Sequence, residues 1–162
     1  MEAFVKELKA NPEAGRKHKV VEGEWSFNER TPQFGAILAH PEGETAVVAE
    51  LPSFAGGWGT SPDPIQYCLY GLAACFAVTL ATTAASEGVI LARLRVTAEN
   101  WMNLEKQMGV SQKDIIERVR FTVEAEGDVS QEQKEELLRL TEERCPGTEV
   151  VTRVLPFEAR LA

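Results

Sequence analysis

Positive charge and metal-ligand residues are both scarce in this sequence. The 162 residues include 17 Lys and Arg against 25 Asp and Glu, which gives a net charge of −8. This imbalance argues against nucleic acid or an anionic membrane surface as the main partner. The chain has two histidines and three cysteines, and no pair of these has the spacing of zinc ligands. We therefore expect neither a structural metal nor a cofactor.

The N-terminus lacks the features of a secretory signal. Residues 1–9 form a short amphipathic stretch that contains acids and no apolar block. Cysteines in an acidic chain without such a signal are typical of reduced cytosolic thiols, so we predict a cytoplasmic location. A chain of this length is most simply one domain. We place that domain at 17–162, behind a polar N-terminal extension at 1–16.

One long apolar stretch organises the rest of the chain. No Lys or Arg occurs between Asp63 and Ala85, and small residues dominate. Asp63 can cap a helix and Pro64 suits its first position. The helix can run to about Glu87, because Gly88 suits a left-handed C-terminal cap. A helix that is apolar on nearly every face is either buried in a core or spans a membrane.

The buried alternative is favoured for this helix. The stretch contains Gln66, Tyr67 and three threonines, and it has neither basic flanks nor a second hydrophobic segment. Its alanines and glycines let other backbone approach closely. We expect a central helix that is wrapped by sheet or packed against its own copy in a dimer, and no association with a membrane.

Alternating apolar residues predict strands on both sides of the central helix. The predicted strands are 17–27, 34–39, 46–51, 90–99 and 119–125. In the fourth strand, Ile90, Ala92 and Leu94 are expected to share the buried face, so the sheets are antiparallel with one solvated face.

The C-terminal part is predicted to hold one more helix and one more strand. Ser130 and Gln133 form a capping-box signature for a helix that runs to about Arg144, where Pro146 ends it. Residues 150–161 are expected to close the chain as a strand. This order of elements predicts an α+β fold in which sheet and helices are segregated.

The three cysteines leave two interpretations open. Cys68 and Cys75 are seven residues apart on one helix, which separates their Cα atoms by about 10 Å and excludes a disulfide between them within that helix. All three can be ordinary buried apolar residues. Alternatively, Cys75 is reactive and Cys145 resolves it, since the negative end of a helix disfavours a thiolate at Cys145. Cys75 then needs a nearby cation, most plausibly an arginine.

Three motifs resemble the OsmC/Ohr family of hydroperoxide-reducing proteins. They are Gly59-Thr60-Ser61-Pro62-Asp63-Pro64, Gly71-Leu72-Ala73-Ala74-Cys75-Phe76 and Cys145-Pro146. The resemblance covers roughly 17–162. It implies an intertwined homodimer in which antiparallel sheets wrap two long buried central helices, with two sites at the subunit interface.

The resemblance also implies roles for particular residues. Cys75 would attack the peroxide and become a sulfenic acid, Cys145 would condense with it to a disulfide, and a dithiol such as a lipoylated protein would restore both. An arginine, for which Arg30 is the best candidate, would be held by a glutamate. The positions of that glutamate are Ile65 and Gln66 in this chain, so Gln66 is left as a neutral partner. The alternative for Arg30 is a solvated charge in a turn.

Two functions are consistent with these residues. The first is thiol-dependent reduction of organic hydroperoxides, which the two cysteines favour. The second is a non-peroxidase dimer that binds a small apolar ligand or acts in a stress response without catalysis, which the missing glutamate favours. The aromatic residues that could line its cavity are Phe54, Trp58, Tyr67, Tyr70 and Phe76. Cys68 is interpreted as core packing.

Overall fold

The computed structural model describes residues 2–161, with the side chain of Glu2 excepted, and these fall into two compact units. The first unit ends at Pro64 and the second begins at Ile65. The first contains the helix α1 (Glu2–Ala10) and three strands; the second contains three helices and a long hairpin. The elements make a mixed α+β fold with antiparallel sheets, as the sequence predicts.

The first unit contains a small antiparallel sheet, which follows the α1 helix in the sequence. Its strands are β1 (Gly23–Trp25), β2 (Phe34–His40) and β3 (Gly43–Ala49), in the order β1-β2-β3. The predicted hairpin around Pro41-Glu42-Gly43 is confirmed, because His40 pairs with Gly43.

The first predicted strand, 17–27, is far too long. Only Gly23 to Trp25 pair with β2, and Trp25 already pairs with Phe34, the first residue of that strand. Beyond Trp25 the chain enters the turn that contains Arg30 at a φ of 60°. Phe27 therefore has no strand partner and is 93% exposed, although its alternation with Trp25 indicated a half-buried face.

A buried carboxylate holds the loop that follows β3. Glu50 is 1% exposed and accepts hydrogen bonds from the backbone N–H groups of Trp58 (3.1 Å), Thr60 and Ser61 (2.8 Å). Its own N–H donates to the carbonyl of Pro62 at 3.2 Å. Burial opposes ionisation, but these N–H donors outweigh it and lower the pKa of Glu50. The sequence analysis did not identify this residue.

The second unit is built on the long helix α2 (Pro64–Ser86), whose predicted bounds are confirmed. It continues with the antiparallel hairpin of β4 (Ile90–Met102) and β5 (Ile116–Asp128), both longer than predicted. The helices α3 (Gln131–Arg144) and α4 (Pro146–Thr152) follow.

Only one side of α2 is buried. Phe76, Leu80, Thr83 and Ala84 are its buried residues. Phe76 stacks on Phe121 of β5 with ring centroids 4.8 Å apart, and a second cluster joins Ala84 to Leu137 of α3. Among the described residues, α2 alone has the length and apolar composition of a membrane-spanning helix. Its packing against the hairpin and α3 is instead typical of a helix in a protein core.

A β-bulge changes the face that the start of β4 presents to the core. Leu91 pairs with Gly127 and Arg93 with Glu126, so one residue is inserted between them. Leu91 therefore packs against both core clusters, whereas Ile90 is 78% exposed. The prediction that Ile90 and Ala92 share the buried face is wrong, because the extra residue inverts the alternation ahead of Leu94.

The C-terminal prediction is half right. The capping box at the start of α3 is confirmed by the reciprocal bonds between Ser130 and Gln133. Pro146, however, starts the helix α4 after a single non-helical residue, because a missing N–H costs nothing at a first helical position. The predicted strand at 150–161 is wrong: Val150 belongs to α4, and residues 153–161 form no secondary structure and stay exposed.

Candidate functional site: a paired thiol beside an apolar cleft

Two cysteines that are 70 residues apart in the sequence meet in the second unit. The Sγ atoms of Cys75, in the middle of α2, and Cys145, between α3 and α4, are 3.7 Å apart. Cys75 is half-buried and Cys145 is 2% exposed. Cys145 forms a core cluster with Phe76 and Leu80, so the packing that folds the unit also positions this thiol.

The first turn of α4 lies against both thiols. A Cβ atom at Gly147 would lie 3.3 Å from Cys75 Cβ and 3.5 Å from Cys145 Sγ, so the absence of a side chain permits this close approach. The N–H of Gly147 favours a thiolate at Cys75, and the N–H of Thr148 favours one at Cys145. The neutral Cys145 thiol makes no N-cap hydrogen bond of ordinary geometry, since a thiol accepts weakly.

The two thiols differ in acidity. Burial raises the pKa of the Cys75 thiol, and the neighbouring Cys145 raises it further. Burial also opposes ionisation of Cys145, but the N–H and hydroxyl of Thr148, with smaller contributions from Cys75 and Thr79, lower its pKa. The prediction that the end of a helix disfavours a thiolate at Cys145 left out a second helix. It considered only the end of α3, whereas Cys145 also stands at the start of α4.

The hydroxyl of Thr148 has an unusual environment. Its Oγ1 atom is buried and makes no hydrogen bond of ordinary geometry with the described residues. It is also among the groups that lower the pKa of the Cys145 thiol. A buried hydroxyl without a partner is costly, so an acceptor that strengthens on ionisation suits this position.

An open cleft of about 560 Å³ lies beside Cys75. α2, the hairpin and α4 each contribute to its walls, and the side chains that line it are mainly apolar, among them Ile65, Leu72 and Val150. Cys75 lines the cleft and Cys145 does not. Cys68 also lines it and is exposed, so the interpretation of Cys68 as core packing is wrong.

The other predicted site residues belong to different elements of the chain. Arg30 is exposed in the first unit, between β1 and β2. Gln66 lies in the first turn of α2, about 13 Å along the helix from Cys75 at the standard rise. The roles of both remain predictions. Of the aromatic residues suggested for a cavity, Tyr67 lines the cleft, whereas Phe76 is core.

The sequence model for the family described as OsmC-like protein matches residues 57–160, which is more than half of the chain. The chain belongs to the OsmC-like protein family. The matched segment contains α2, the hairpin, both cysteines of the pair and the cleft. The resemblance stated from the motifs is thus confirmed. Among curated proteins, no match was found.

Solved structures of OsmC-like proteins share the fold. The organic hydroperoxide resistance protein OsmC of Legionella pneumophila superposes with a TM-score of 0.62 at 18% identity, over 85% of this chain and 92% of that one. A putative organic hydroperoxide resistance protein of Vibrio cholerae, with captopril bound in one of its active sites, gives 0.58 at 21%, over 85% and 88%. An OsmC-like protein of unknown function from the same organism gives 0.61 at 14%, over 85% and 95%.

Proposed function

We propose that this protein reduces organic hydroperoxides with the Cys75–Cys145 pair. The thiolate of Cys75 attacks the terminal peroxide oxygen, an S–O bond forms, and the O–O bond breaks to release an alcohol. Cys145 then attacks the sulfenic acid sulfur, and a disulfide and water are produced. Two thiols are thereby oxidised and one hydroperoxide is reduced. An external dithiol, for which a lipoylated protein is our candidate, returns the pair to its reduced state.

The observation that carries this proposal is the 3.7 Å approach of the two sulfur atoms. A disulfide would form if these two sulfur atoms moved closer together, whereas two cysteines that serve only as apolar core residues need not lie side by side. The unequal access of the two thiols also supports it, since Cys75 lines the cleft and Cys145 is behind it. The names of the hydroperoxide resistance proteins with this fold agree with a role in peroxide stress.

The cleft supports an apolar organic hydroperoxide as the substrate class. Its mainly apolar lining would favour an alkyl or aryl group over the small, fully hydrated hydrogen peroxide molecule. We therefore expect bulky hydroperoxides such as cumene hydroperoxide to react faster than hydrogen peroxide.

We further propose that the working form is a homodimer in the cytoplasm. The α2 helix exposes Tyr70 and Val78 (72% and 64% exposed) on sides that the second unit leaves uncovered. A second copy would remove this apolar surface from water, which is the usual reason for such a face. Sedimentation velocity would test this, and a monomer at micromolar concentration would contradict it.

The test of the function is peptide mapping after one equivalent of cumene hydroperoxide. The expected product is a Cys75–Cys145 disulfide, which forms within seconds and is absent in Cys75→Ser and Cys145→Ser. Cys68→Ser is the matched control, because Cys68 shares the cleft but is too far from Cys75 along the helix to bond with it. Three unmodified thiols in excess peroxide would overturn the proposal.

One observation favours the second candidate, a non-peroxidase that binds an apolar ligand. Burial raises the pKa of Cys75, and no cation is among the groups of the second unit that shift it. With Ile65 and Gln66 in the positions of the family glutamate, the usual activation of the attacking thiol is weakened. If the thiols stay unmodified in excess peroxide, an apolar fluorescent probe that binds to the wild-type protein and fails to bind to Leu72→Trp would identify this function.

A further inference from the structure

We propose that Asn100 is the polar anchor of the cleft. Its amide N–H donates a hydrogen bond to the alkyl-bearing oxygen of the hydroperoxide and holds that oxygen as the alkoxide leaves. The inference rests on the proposed function and deepens it. It adds a residue of β4 that touches the substrate, and it narrows the ligands of the cleft to apolar molecules that carry a hydrogen-bonding oxygen.

Asn100 interrupts an apolar face of β4. On that face Leu94 and Val96 pack against the core cluster of Cys145, and Ala98 is half-buried after them. The same alternation continues to Asn100, which is half-buried and lines the cleft. Asparagine is disfavoured in strands, and a polar group in apolar surroundings costs free energy unless it is hydrogen-bonded. A residue that breaks the local pattern where the cleft opens is therefore expected to serve the cleft.

The fold does not use the side chain of Asn100. Its backbone pairs with Val119 of β5, but its carboxamide makes no hydrogen bond of ordinary geometry with the described residues. Asn103 shows the contrast, because its carboxamide oxygen accepts from the Glu105 N–H at 2.9 Å in the connection after β4. The Asn100 side chain therefore has both of its N–H donors and its oxygen acceptor available to a ligand.

Asn100 is also the one nitrogen donor that a side chain offers to the cleft. Most of the described residues that line the cleft are apolar, and no Lys or Arg is among them. The other polar side chains of the lining are Tyr67, Cys68 and Cys75, none of which carries an N–H. In a mainly apolar pocket, a few placed polar groups fix the orientation of the ligand. The amide of Asn100 is such a group, and it is neutral.

The strand pairing places Asn100 close to Cys75 along the axis of α2. Phe121 stacks on Phe76, the residue after Cys75, and Ala98 pairs with Phe121. Asn100 lies two residues beyond Ala98, toward the start of α2, because the start of β4 packs near the end of that helix. The offset between Asn100 and Cys75 along the axis is therefore about 5 Å. A hydroperoxide whose terminal oxygen contacts the Cys75 sulfur, and whose alkyl group follows the cleft toward the start of α2, has its second oxygen on the Asn100 side.

A donor at the second oxygen acts where negative charge develops. The Cys75 thiol gives its proton to water, and the thiolate attacks the terminal oxygen of ROOH. The O–O bond breaks and its electron pair stays on the alkyl-bearing oxygen. The Asn100 N–H donates to this alkoxide until water protonates it to ROH. The sulfur is oxidised to a sulfenic acid and the hydroperoxide is reduced; the amide transfers no proton, so the balance of the proposed reaction is unchanged.

The first test measures ligand selection without chemistry. Reduced protein is titrated, with NMR detection, with 2-phenyl-2-propanol, the alcohol that cumene hydroperoxide yields, and with tert-butylbenzene, in which a methyl group replaces the hydroxyl. In Asn100→Leu the ratio of the two dissociation constants should move about fivefold against the alcohol, because one hydrogen bond is lost. Val151→Ala is the matched control, since Val151 is an apolar residue of the same cleft, and it should leave the ratio unchanged. An unchanged ratio in Asn100→Leu would overturn the proposal.

The second test compares two reactions of Cys75 by mass mapping. Oxidation by cumene hydroperoxide should be about tenfold slower in Asn100→Leu, and slower still in Asn100→Asp, whose carboxylate keeps the shape but repels the alkoxide. Alkylation by iodoacetamide forms no oxyanion and should keep its rate in Asn100→Leu. Equal slowing of both reactions would overturn the role of Asn100 in the chemical step. If wild-type Cys75 does not react with the hydroperoxide while the ligand ratio still depends on Asn100, the proposed function fails and the anchor stands.

Discussion

Glu50 in the first unit and Cys145 in the second are both nearly inaccessible acids that backbone N–H groups favour in the charged form. Glu50 is 1% exposed and has three such donors from its own loop. Cys145 is 2% exposed, and the N–H and hydroxyl of Thr148 favour its thiolate, although neither makes a hydrogen bond of ordinary geometry with the neutral thiol. In both residues burial opposes the charge, and in both the neighbouring donor groups outweigh it.

The difference lies in the ordinary acidity of the two groups. A carboxyl group is charged at neutral pH even without help, so lowering the pKa of Glu50 makes its charge permanent and structural. A thiol is mostly neutral at that pH, so the lowered pKa of Cys145 increases the fraction of thiolate there instead of fixing a permanent charge. The same kind of influence therefore holds a loop in one unit and favours a thiolate in the other.

The largest effect is expected from Glu50→Ala. The variant leaves the N–H groups of Trp58, Thr60 and Ser61 without their acceptor, so the loop should open and the unfolding midpoint in urea should fall. Hydrogen exchange at these three amides measures the opening directly. Unchanged protection there would show that the carboxylate does not hold the loop.

Glu50→Gln removes the charge of the side chain but keeps its shape. The sign of the pH dependence of its stability follows from the lowered pKa of Glu50. Because the folded-state pKa of Glu50 is lowered, its stabilising contribution is complete above the unfolded-state pKa and is lost as pH falls through the folded value. The difference in unfolding free energy between wild type and Glu50→Gln should therefore be largest near neutral pH and shrink in acid. A difference that grows in acid would contradict this assignment.

Local signals were sufficient to predict most elements of the fold. Pro64 and Gly88 bracket α2, and the capping box at Ser130 starts α3, because each of these residues acts on its own turn of backbone. Pro146 was ambiguous, since a proline ends one helix as readily as it starts another. The β-bulge after Leu91 could not be predicted from the sequence, because it depends on the pairing of β4 with β5.

The candidate site was predictable only in part. The motifs around Cys75 and Cys145 identified the thiol pair through a family resemblance. Gly147 was missed, because its close contacts with Cys75 and Leu72 come from residues that the folded chain brings together. A glycine directly after Cys145-Pro146 was the one available signal for the close approach of α4 to α2. The influence of α4 on Cys145 was missed as well, since that helix was not predicted.

A smaller effect, confined to the thiol pair, is expected from Gly147→Ala. The added methyl group would lie 3.3 Å from Cys75 Cβ and 3.4 Å from Leu72 Cδ2, so the neighbours must give by a few tenths of an ångström, and we expect α4 to shift and the two sulfurs to move apart. Disulfide formation should slow about tenfold, because closing the S–S bond depends on sub-ångström placement. Quenched mass mapping measures the rate.

Gly35→Ala is the control for that experiment. It adds the same methyl group in β2, where the nearest atom outside the immediate neighbours is 3.9 Å away. Its disulfide should form at the wild-type rate. Equal slowing in both variants would show a general loss of folding and would remove Gly147 from the site.

The smallest effect is expected at the start of α3. Ser130 caps this helix with hydrogen bonds of ordinary geometry, whereas Cys145 at the start of α4 makes none. Ser130 accepts from the Gln133 N–H at 3.2 Å, and Gln133 Oε1 accepts from the Ser130 N–H at 2.8 Å. Ser130→Ala should cost about 1 kcal/mol of unfolding free energy, measured in urea, and leave the rate of disulfide formation unchanged. If that rate falls instead, the position of Cys145 depends on the whole of α3 and not on α4 alone.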